Sequence, residues 1–367
     1  MKIRADQLDD LSVGSVFLAT GGGGDPYVTL LATKAVLESA GPAALMPVAD
    51  VPDDALIVTI GAVGAPTVGL ELLPSADDVT RTLDAFESLV GRRVDAVVSF
   101  EIGGGNSLMP IMAAAARGIP VVDGDGMGRA LPEAQMMTYA ISGVSPTPAV
   151  AIDYAGNSAT FDTDNTTTYE RHIRAMAQAM GGMITAAEHP MDGKTLRNCI
   201  VPGTLSFSIE VGKTFRENRG TAIDVFPALK AVFEDSIYGQ LCHLFTGKVV
   251  DYASSIVGGY DIGEAIIESF DGQSTLRLSV KNEFLVASLN GQVIASVPDL
   301  ITVLDFETAA PINAERLRYG QRVSVLAVGC PDFYRQPVAL KVVAPRCFGF
   351  DIDYQPLELL TAWHQKP

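Results

Sequence analysis

Cysteine is scarce and scattered. Cys199, Cys242, Cys330 and Cys347 are spread over 367 residues without a C-x-x-C pair, which excludes a disulfide scaffold. Histidine is equally sparse. His172, His189, His243 and His364 form no H-E-x-x-H or H-x-H pair, so a divalent metal such as zinc would need ligands assembled from distant Asp, Glu, His or Cys. Positive charge is outnumbered, with 26 Lys and Arg against 43 Asp and Glu and a net charge of −17. That balance argues against nucleic acid or an anionic membrane as a partner and is met by a solvated acidic surface. No uninterrupted apolar run approaches the ~20 residues that span a bilayer, and the opening MKIRADQLDDL lacks the apolar segment of a signal peptide. A cytoplasmic, reduced protein is therefore expected. There is no G-x-S-x-G elbow and no 20–50-residue repeat.

What is present suits a folded protein of two domains. Apolar residues make up 48% and charged residues 19% of the chain, enough for two real cores. The densest stretch is Val94 to Arg129. Val94–Phe100 is an apolar, β-branched run of strand length, with Glu101 at its C-terminal end. Gly103-Gly104-Gly105 follow, a loop for residues that tolerate φ > 0. Ser107 reads as an N-cap, Pro110 suits a first helical turn, Ile111–Arg117 is Ala-rich helix and Gly118 stops it. A second strand from Pro120 runs into Asp123-Gly124-Asp125-Gly126-Met127-Gly128-Arg129.

The same grammar recurs upstream. Val16–Thr20 reads as a strand, Gly21–Gly24 as its loop, and Tyr27–Ser39 as a helix closed by Gly41. Ala55–Ile60 is another buried strand with Gly61–Pro66 as its loop, and Ala76–Val90 has helical spacing. Ala130–Ile141 also reads as helix. Strands separated by helices imply a largely parallel sheet, and right-handed crossovers put the C-terminal loops on one edge. The loops bearing Asp25, Glu101, Asp123 and Asp125 could then meet where open α/β sheets bind ligands. Asp153–Asn157 reads as a turn and Asp162–Thr168 as a polar connector. The expected division is residues 1–165, an α/β ligand-binding domain, and 166–367, helices leading into a β barrel or sandwich. Helices are expected at Tyr169–Met180, Leu205–Glu217 and Val225–Asp235, the last two capped by Thr204 and Asp224. Strands follow at Leu276–Val280, Phe284–Leu289, Gln292–Val297, Val323–Val328 and Val338–Val343, with Asn290-Gly291 as a hairpin turn.

None of the glycine loops is a nucleotide fingerprint. Gly21–Gly24 fails G-x-G-x-x-G, and the Gly-Lys-Thr triplets at Gly193 and Gly212 lack the P-loop glycine five residues earlier, where Glu188 and Phe207 stand. Three such loops in one domain still favour a ligand cradle over three unrelated tight turns. A buried, loop-borne acid can serve as general acid or base once desolvation raises its pKa. Glu101 is the leading candidate, followed by Asp125 and Asp123. Asp25 is equally suited to capping the helix it precedes. Arg129 could hold a substrate carboxylate or pair with Glu133. Cys347, beside Arg346, is more simply a small buried residue than an activated thiol.

Four blocks are diagnostic together: Gly21–Tyr27, Gly64-Ala65-Pro66-Thr67-Val68, Glu101–Ser107 and Asp123–Ala130. With Val201–Ser206, Gly247–Asp251 and Pro345-Arg346 ahead of Phe348–Asp351, they resemble the S-methyl thiohydantoin desulfurase family across roughly residues 15 to 355. The resemblance implies an N-terminal α/β domain, a C-terminal β domain and a small-molecule, hydantoin-like substrate. It implies hydrolytic release of methanethiol from an S-methyl thiohydantoin, in ergothioneine-type catabolism. On that expectation Glu101, Asp125 and Asp123 are the catalytic candidates. Gly23, Gly24, Asp25, Gly104, Gly105, Asn106, Arg129 and Arg346 are candidates for binding the ring and a propionate substituent. The rivals are a hydantoinase-like ring opener and a non-catalytic binding subunit of a hydantoinase-type complex. A homo-oligomer is compatible with all three.

Overall fold

The computed structural model describes residues 1–69, 71–257 and 260–361. His364 lies outside them. Compactness groups the chain into two units. Unit 1 is residues 1–12 and 23–209, and unit 2 is residues 13–22 and 210–367. Residues 166–209, expected with the C-terminal domain, thus pack in unit 1.

Unit 1 is built on a nine-stranded sheet. Its strands are β1 (Lys2–Ile3), β2 (Ala43–Met46), β3 (Leu56–Gly64), β4 (Ala96–Ser99), β5 (Val121–Asp125), β6 (Ala149–Ile152), β7 (Ser158–Phe161), β8 (Met183–Asp192) and β9 (Val201–Pro202). The order is β1-β2-β5-β4-β3-β8-β6-β7, with β9 paired to β5. β2, β5, β4 and β3 run parallel at the centre, and antiparallel strands flank them. The parallel strands are joined by helices, as a βαβ crossover requires. Ala76–Val90 links β3 to β4, and Met109–Arg117 links β4 to β5.

Local sequence sets these helices. Ser75 and Asp78 form a reciprocal capping box at Ala76–Val90, and Gly91 closes it in the left-handed conformation. Gly118 does the same for Met109–Arg117. That second helix is nearly all apolar and buried. It lies on β2, β4 and β3, and helices Tyr27–Ala40 and Ala76–Val90 pack on it. The geometry leaves the carboxyl ends of β3, β4 and β5 on one edge of the sheet.

Unit 2 carries a seven-stranded antiparallel sheet. Its strands are β10 (Cys242–Val257), β11 (Tyr260–Glu268), β12 (Thr275–Lys281), β13 (Glu283–Leu289), β14 (Gln292–Ser296), β15 (Leu300–Asp305) and β16 (Arg322–Val328), in the order β14-β13-β12-β11-β10-β16-β15. One apolar cluster draws on both ends of that order, with Phe284 and Ile294 beside Ile301 and Val303, so the sheet curls as a half-barrel around a single core. Asn290 and Gly291 both take positive φ, the geometry of a tight hairpin turn. The class expected from sequence, an α/β unit followed by a β-rich unit, holds.

Several elements differ from expectation for identifiable reasons. Val16–Thr20 is not a strand. Helix Leu8–Leu18 runs through it and ends in a turn at Thr20, whose φ is +54°. The helix is buried almost all round, so it has no polar face to reveal a helical period. Gly61–Gly64 extends β3 instead of leaving it. Ala130–Ile141 contains only two short turns of helix, Ala134–Met136 and Thr138–Ile141. Val338–Val343 belongs to helix Pro337–Val343, opened by Pro337 at its first position, with Ala339 and Val343 buried on one face. The third expected helix starts earlier, at Ala222. Thr221 is its cap and Asp224 is the reciprocal partner. Ser107 does not cap the helix that follows it; its hydroxyl donates to the Gly104 carbonyl.

Candidate active site

The candidate site sits in unit 1 at the carboxyl ends of β4 and β5. The pairing slips just before the site, from Val97 opposite Val121 to Ser99 opposite Asp125. The Gly126 N–H donates to the Phe100 carbonyl at 3.0 Å, tying the two strand ends together. Ser99 locks the turn beyond β4. Its hydroxyl reaches the Glu101 carbonyl at 2.5 Å and the Asn106 carbonyl at 2.8 Å.

Glu101 is 7% exposed. Burial pushes its carboxyl up to about 8, and the nearby charge of Asp125 pushes the same way. An Asn106 hydrogen bond, the Leu131 N–H and the Arg129 guanidinium oppose the rise. Asn106 is fixed first by the sheet. The Ala62 N–H of β3 donates to its Oδ1 at 2.8 Å, which orients Nδ2 to donate to Glu101 Oε1 at 2.9 Å. Oε1 is therefore committed as an acceptor of the Asn106 amide. At neutral pH Glu101 is a carboxylic acid held by an amide, able to donate a proton and take it back.

Asp125 is fully enclosed. Its Oδ2 accepts from the Ile102, Met127 and Gly128 N–H groups at 2.9, 2.9 and 2.8 Å. Burial pushes its carboxyl up to about 7, against those three donors and the Thr204 hydroxyl. Thr204 is brought close by β9, which pairs Val201 with Asp125. Its contact falls short of a well-formed hydrogen bond, so Asp125 Oδ1 and Thr204 Oγ1 are buried without a hydrogen-bond partner among the described residues. Asp125 fixes the backbone on both sides of the site and supplies negative charge behind Glu101.

The remaining candidates separate into distinct roles. Gly23 and Gly104 have φ of +70° and +47°, and their backbones cross. A Cβ on Gly23 would lie 2.5 Å from the Gly103 carbonyl carbon, and one on Gly104 would fall onto the Gly23 and Gly24 carbonyl oxygens. The Gly105 N–H donates to the Gly23 carbonyl at 3.2 Å. The missing side chains thus let one loop lie on the other. The crossing brings the segment of Gly24 and Asp25 to the loop after Glu101. Asp25 Oδ1 accepts the Tyr27 N–H at 2.9 Å, a helix-start role. Asp123 does similar work: its Oδ1 accepts the Ser206 N–H at 3.0 Å at the start of helix Thr204–Glu217. Arg129 is completely buried, donates through Nε to the Ala130 carbonyl and acts electrostatically on Glu101. Arg346 belongs to unit 2, where it is exposed and paired with Asp351 and Asp353. Cys347 is exposed rather than buried.

Among the described residues, no group of three or more His, Cys, Asp or Glu side chains is arranged to hold a metal ion. The surroundings of Glu101 do not fit one, since its hydrogen-bond partners are the Asn106 amide and the Leu131 N–H and the nearby positive charge is that of Arg129. Also among the described residues, no helix is long and apolar enough to cross a membrane.

Fold and site define a class: an α/β unit with a buried carboxyl pair at a parallel-strand edge, followed by a half-barrel β unit. Comparison with protein families makes it specific. The S-Me-THD-like N-terminal domain matches residues 6–163 and the S-Me-THD-like C-terminal domain matches residues 163–357. The chain belongs to the S-Me-THD-like family. Among solved structures, a crystal structure of a protein from Chromobacterium violaceum shares the fold, with a TM-score of 0.82 at 21% identity, over 97% of this chain and 100% of that one. No curated protein matches the chain significantly.

Proposed function

We propose that the protein is a hydrolase that releases methanethiol from an S-methyl thiohydantoin and leaves a hydantoin. One observation carries the reading: in a chain of this family, a buried acid with its carboxyl pushed up to about 8 is held by an oriented amide at the strand edge. The substrate carbon lies between two ring nitrogens and carries the S-methyl group. Glu101 donates its carboxyl proton to the C=N nitrogen and makes that carbon electrophilic. Water attacks, and the Glu101 carboxylate takes one of its protons. A C–O bond has formed. The C–S bond then breaks as the hydroxyl-bearing carbon becomes the ring carbonyl: sulfur leaves with the proton that Glu101 returns, and the hydroxyl proton passes to the Glu101 carboxylate and restores the acid. Nitrogen holds the proton first carried by Glu101, sulfur one water proton and Glu101 the other, so atoms and charge balance. The charge of Asp125 favours the protonated form of Glu101, Asn106 orients its carboxyl, and Arg129 steadies the transient carboxylate.

The test is a thiol-release assay with an S-methyl thiohydantoin propionate, on wild type and Glu101→Gln, with and without a chelator. The expected result is chelator-insensitive methanethiol release that Glu101→Gln abolishes. A ring-opened carbamoyl product without thiol, or tight ring binding without turnover, would overturn the reading. So would turnover that survives Glu101→Gln.

A further inference from the structure

A second buried proton-bearing chain lies in unit 1, and the scheme above does not use it. His189 is fully buried. It sits where β8 bulges against β3: Ile57 faces Met191 and Thr59 faces Glu188, which leaves His189 and Pro190 opposite Val58 alone. Its φ is +48°, a left-handed conformation that costs a non-glycine residue about 1–3 kcal/mol. The strained backbone is held by its N–H, which donates to the Pro146 carbonyl at 3.0 Å.

The side chain is fixed from behind. Its Nδ1 lies 3.1 Å from Glu188 Oε1, and the Tyr169 hydroxyl donates to Glu188 Oε2. A carboxylate that accepts at both oxygens places the imidazole proton on Nδ1 and leaves a lone pair on Nε2. That Nε2 is buried without a partner among the described residues. Strain and an unpaired buried polar atom at one residue are costs that a structural histidine would not need.

The front of the ring leads back to the site. His189 packs against Tyr139 in a tilted ring contact with centroids 6.1 Å apart. The Tyr139 hydroxyl reaches the Ser99 carbonyl at 3.3 Å, and its ring lies 2.6 Å from where a Cβ on Gly126 would stand. Ser99 and Gly126 are the backbone points that set Glu101 and Asp125.

We propose that Tyr169, Glu188 and His189 form a proton-fixing relay behind the candidate site. His189, with a proton on Nδ1, is a positioning residue. It holds Tyr139, and through it the Ser99 and Gly126 backbone, in register with Glu101 and Asp125. The inference rests on the role given to Glu101 above. The titratable groups facing the relay are Glu188, Tyr169 and Tyr139, with Glu170 beside Tyr169.

The experiment is NMR of the full chain labelled with 15N-histidine, with His189→Asn used to assign the signal. The expected wild-type spectrum has a protonated Nδ1 and a lone-pair Nε2 at His189. Tyr169→Phe leaves Glu188 one donor short and free to turn, so signal from the Nε2-protonated tautomer of His189 should appear, and kcat should fall with KM unchanged. His189→Asn tolerates the left-handed backbone and keeps an N–H for Glu188. It should keep the thermal midpoint yet lower kcat by about ten- to hundredfold with KM unchanged. A wild-type proton on Nε2, a Tyr169→Phe protein with an unchanged His189 tautomer, or a folded His189→Asn protein with wild-type kcat would each overturn the proposal. If wild type releases no thiol, the desulfurase reading fails, while the tautomer and its response to Tyr169→Phe still decide the relay.

Discussion

Replacing Glu101 with Gln should stabilise the protein while removing its activity. The folded carboxyl sits at about 8, against 4.5 for the free group. A folded pKa above the unfolded one means that the native state binds the proton more tightly. Stability is then greatest below the unfolded value and falls as pH rises through the folded one. At neutral pH the unfolded chain would have ionised Glu101, and the native state forgoes that ionisation. The linkage penalty is about 3 kcal/mol near pH 7 and grows to about 5 kcal/mol near pH 9. Gln is isosteric and neutral, and its carbonyl can still accept from Asn106 Nδ2, so it escapes the penalty. Urea denaturation of both proteins at acid, neutral and alkaline pH measures the difference. The expected pattern is a gain near zero at acid pH that rises steadily with pH. A Glu101→Gln protein less stable than wild type at neutral pH, or a gain that ignores pH, would refute the electrostatic account of this residue.

Further outcomes follow from the same geometry. If Glu101 acts as the resting acid, the rate of thiol release should fall as pH rises past about 8; a rate that climbs through that range would reverse its role. Asn106→Ala removes the hydrogen bond that opposes the rise, so that limb should move to higher pH, read from the pH–rate profile. Asp125→Ala leaves three buried N–H groups without an acceptor and should cost about 3 kcal/mol or more in denaturation. Asp123→Ala should cost only about 1 kcal/mol, as the loss of a helix-start contact, with turnover retained. Gly23→Ala should be far more damaging to the thermal midpoint than Gly91→Ala. Both have positive φ, but only at Gly23 would the new methyl meet backbone.

The fold was readable where a physical period was present. Ala76–Val90 is amphipathic, capped at both ends and correctly bounded from sequence. The hairpin at Asn290-Gly291 is written in residues that tolerate its dihedral angles. Segments buried on every side carry no such period. Helix Leu8–Leu18 was therefore open to the wrong reading, whereas at Gly61–Gly64 it was the glycine-rich, half-buried end of the strand that read as a loop. β6, β7 and β8 are a different failure. They are antiparallel additions to a sheet that the βαβ pattern presents as parallel, and only tertiary pairing places them. Val338–Val343 shows tertiary context overriding β-branched propensity, with a proline at the right offset to begin a helix.

The site was legible for one reason and obscured for another. Glu101 and Asp125 stand at the carboxyl ends of apolar runs, and burial of a strand carries its terminal acid inward; position alone flags them. Asp123 has the same position, two residues before Asp125, but its partner is the Ser206 N–H, eighty-three residues away. The glycines mislead more subtly. Gly23 and Gly104 do permit a close approach, as their residue type says, but to each other's backbone. A glycine loop in sequence reports that something comes near without saying what. His189 gives the converse case. It belongs to no motif, and its distinguishing features are a left-handed φ, a bulge and an unpaired nitrogen. All three are properties of the pairing between β3 and β8. The only trace in sequence is Glu188-His189-Pro190, two polar residues and a proline ending the run Ile184–Ala187. A residue whose role depends on being forced into an unfavourable conformation leaves its mark in the fold that forces it.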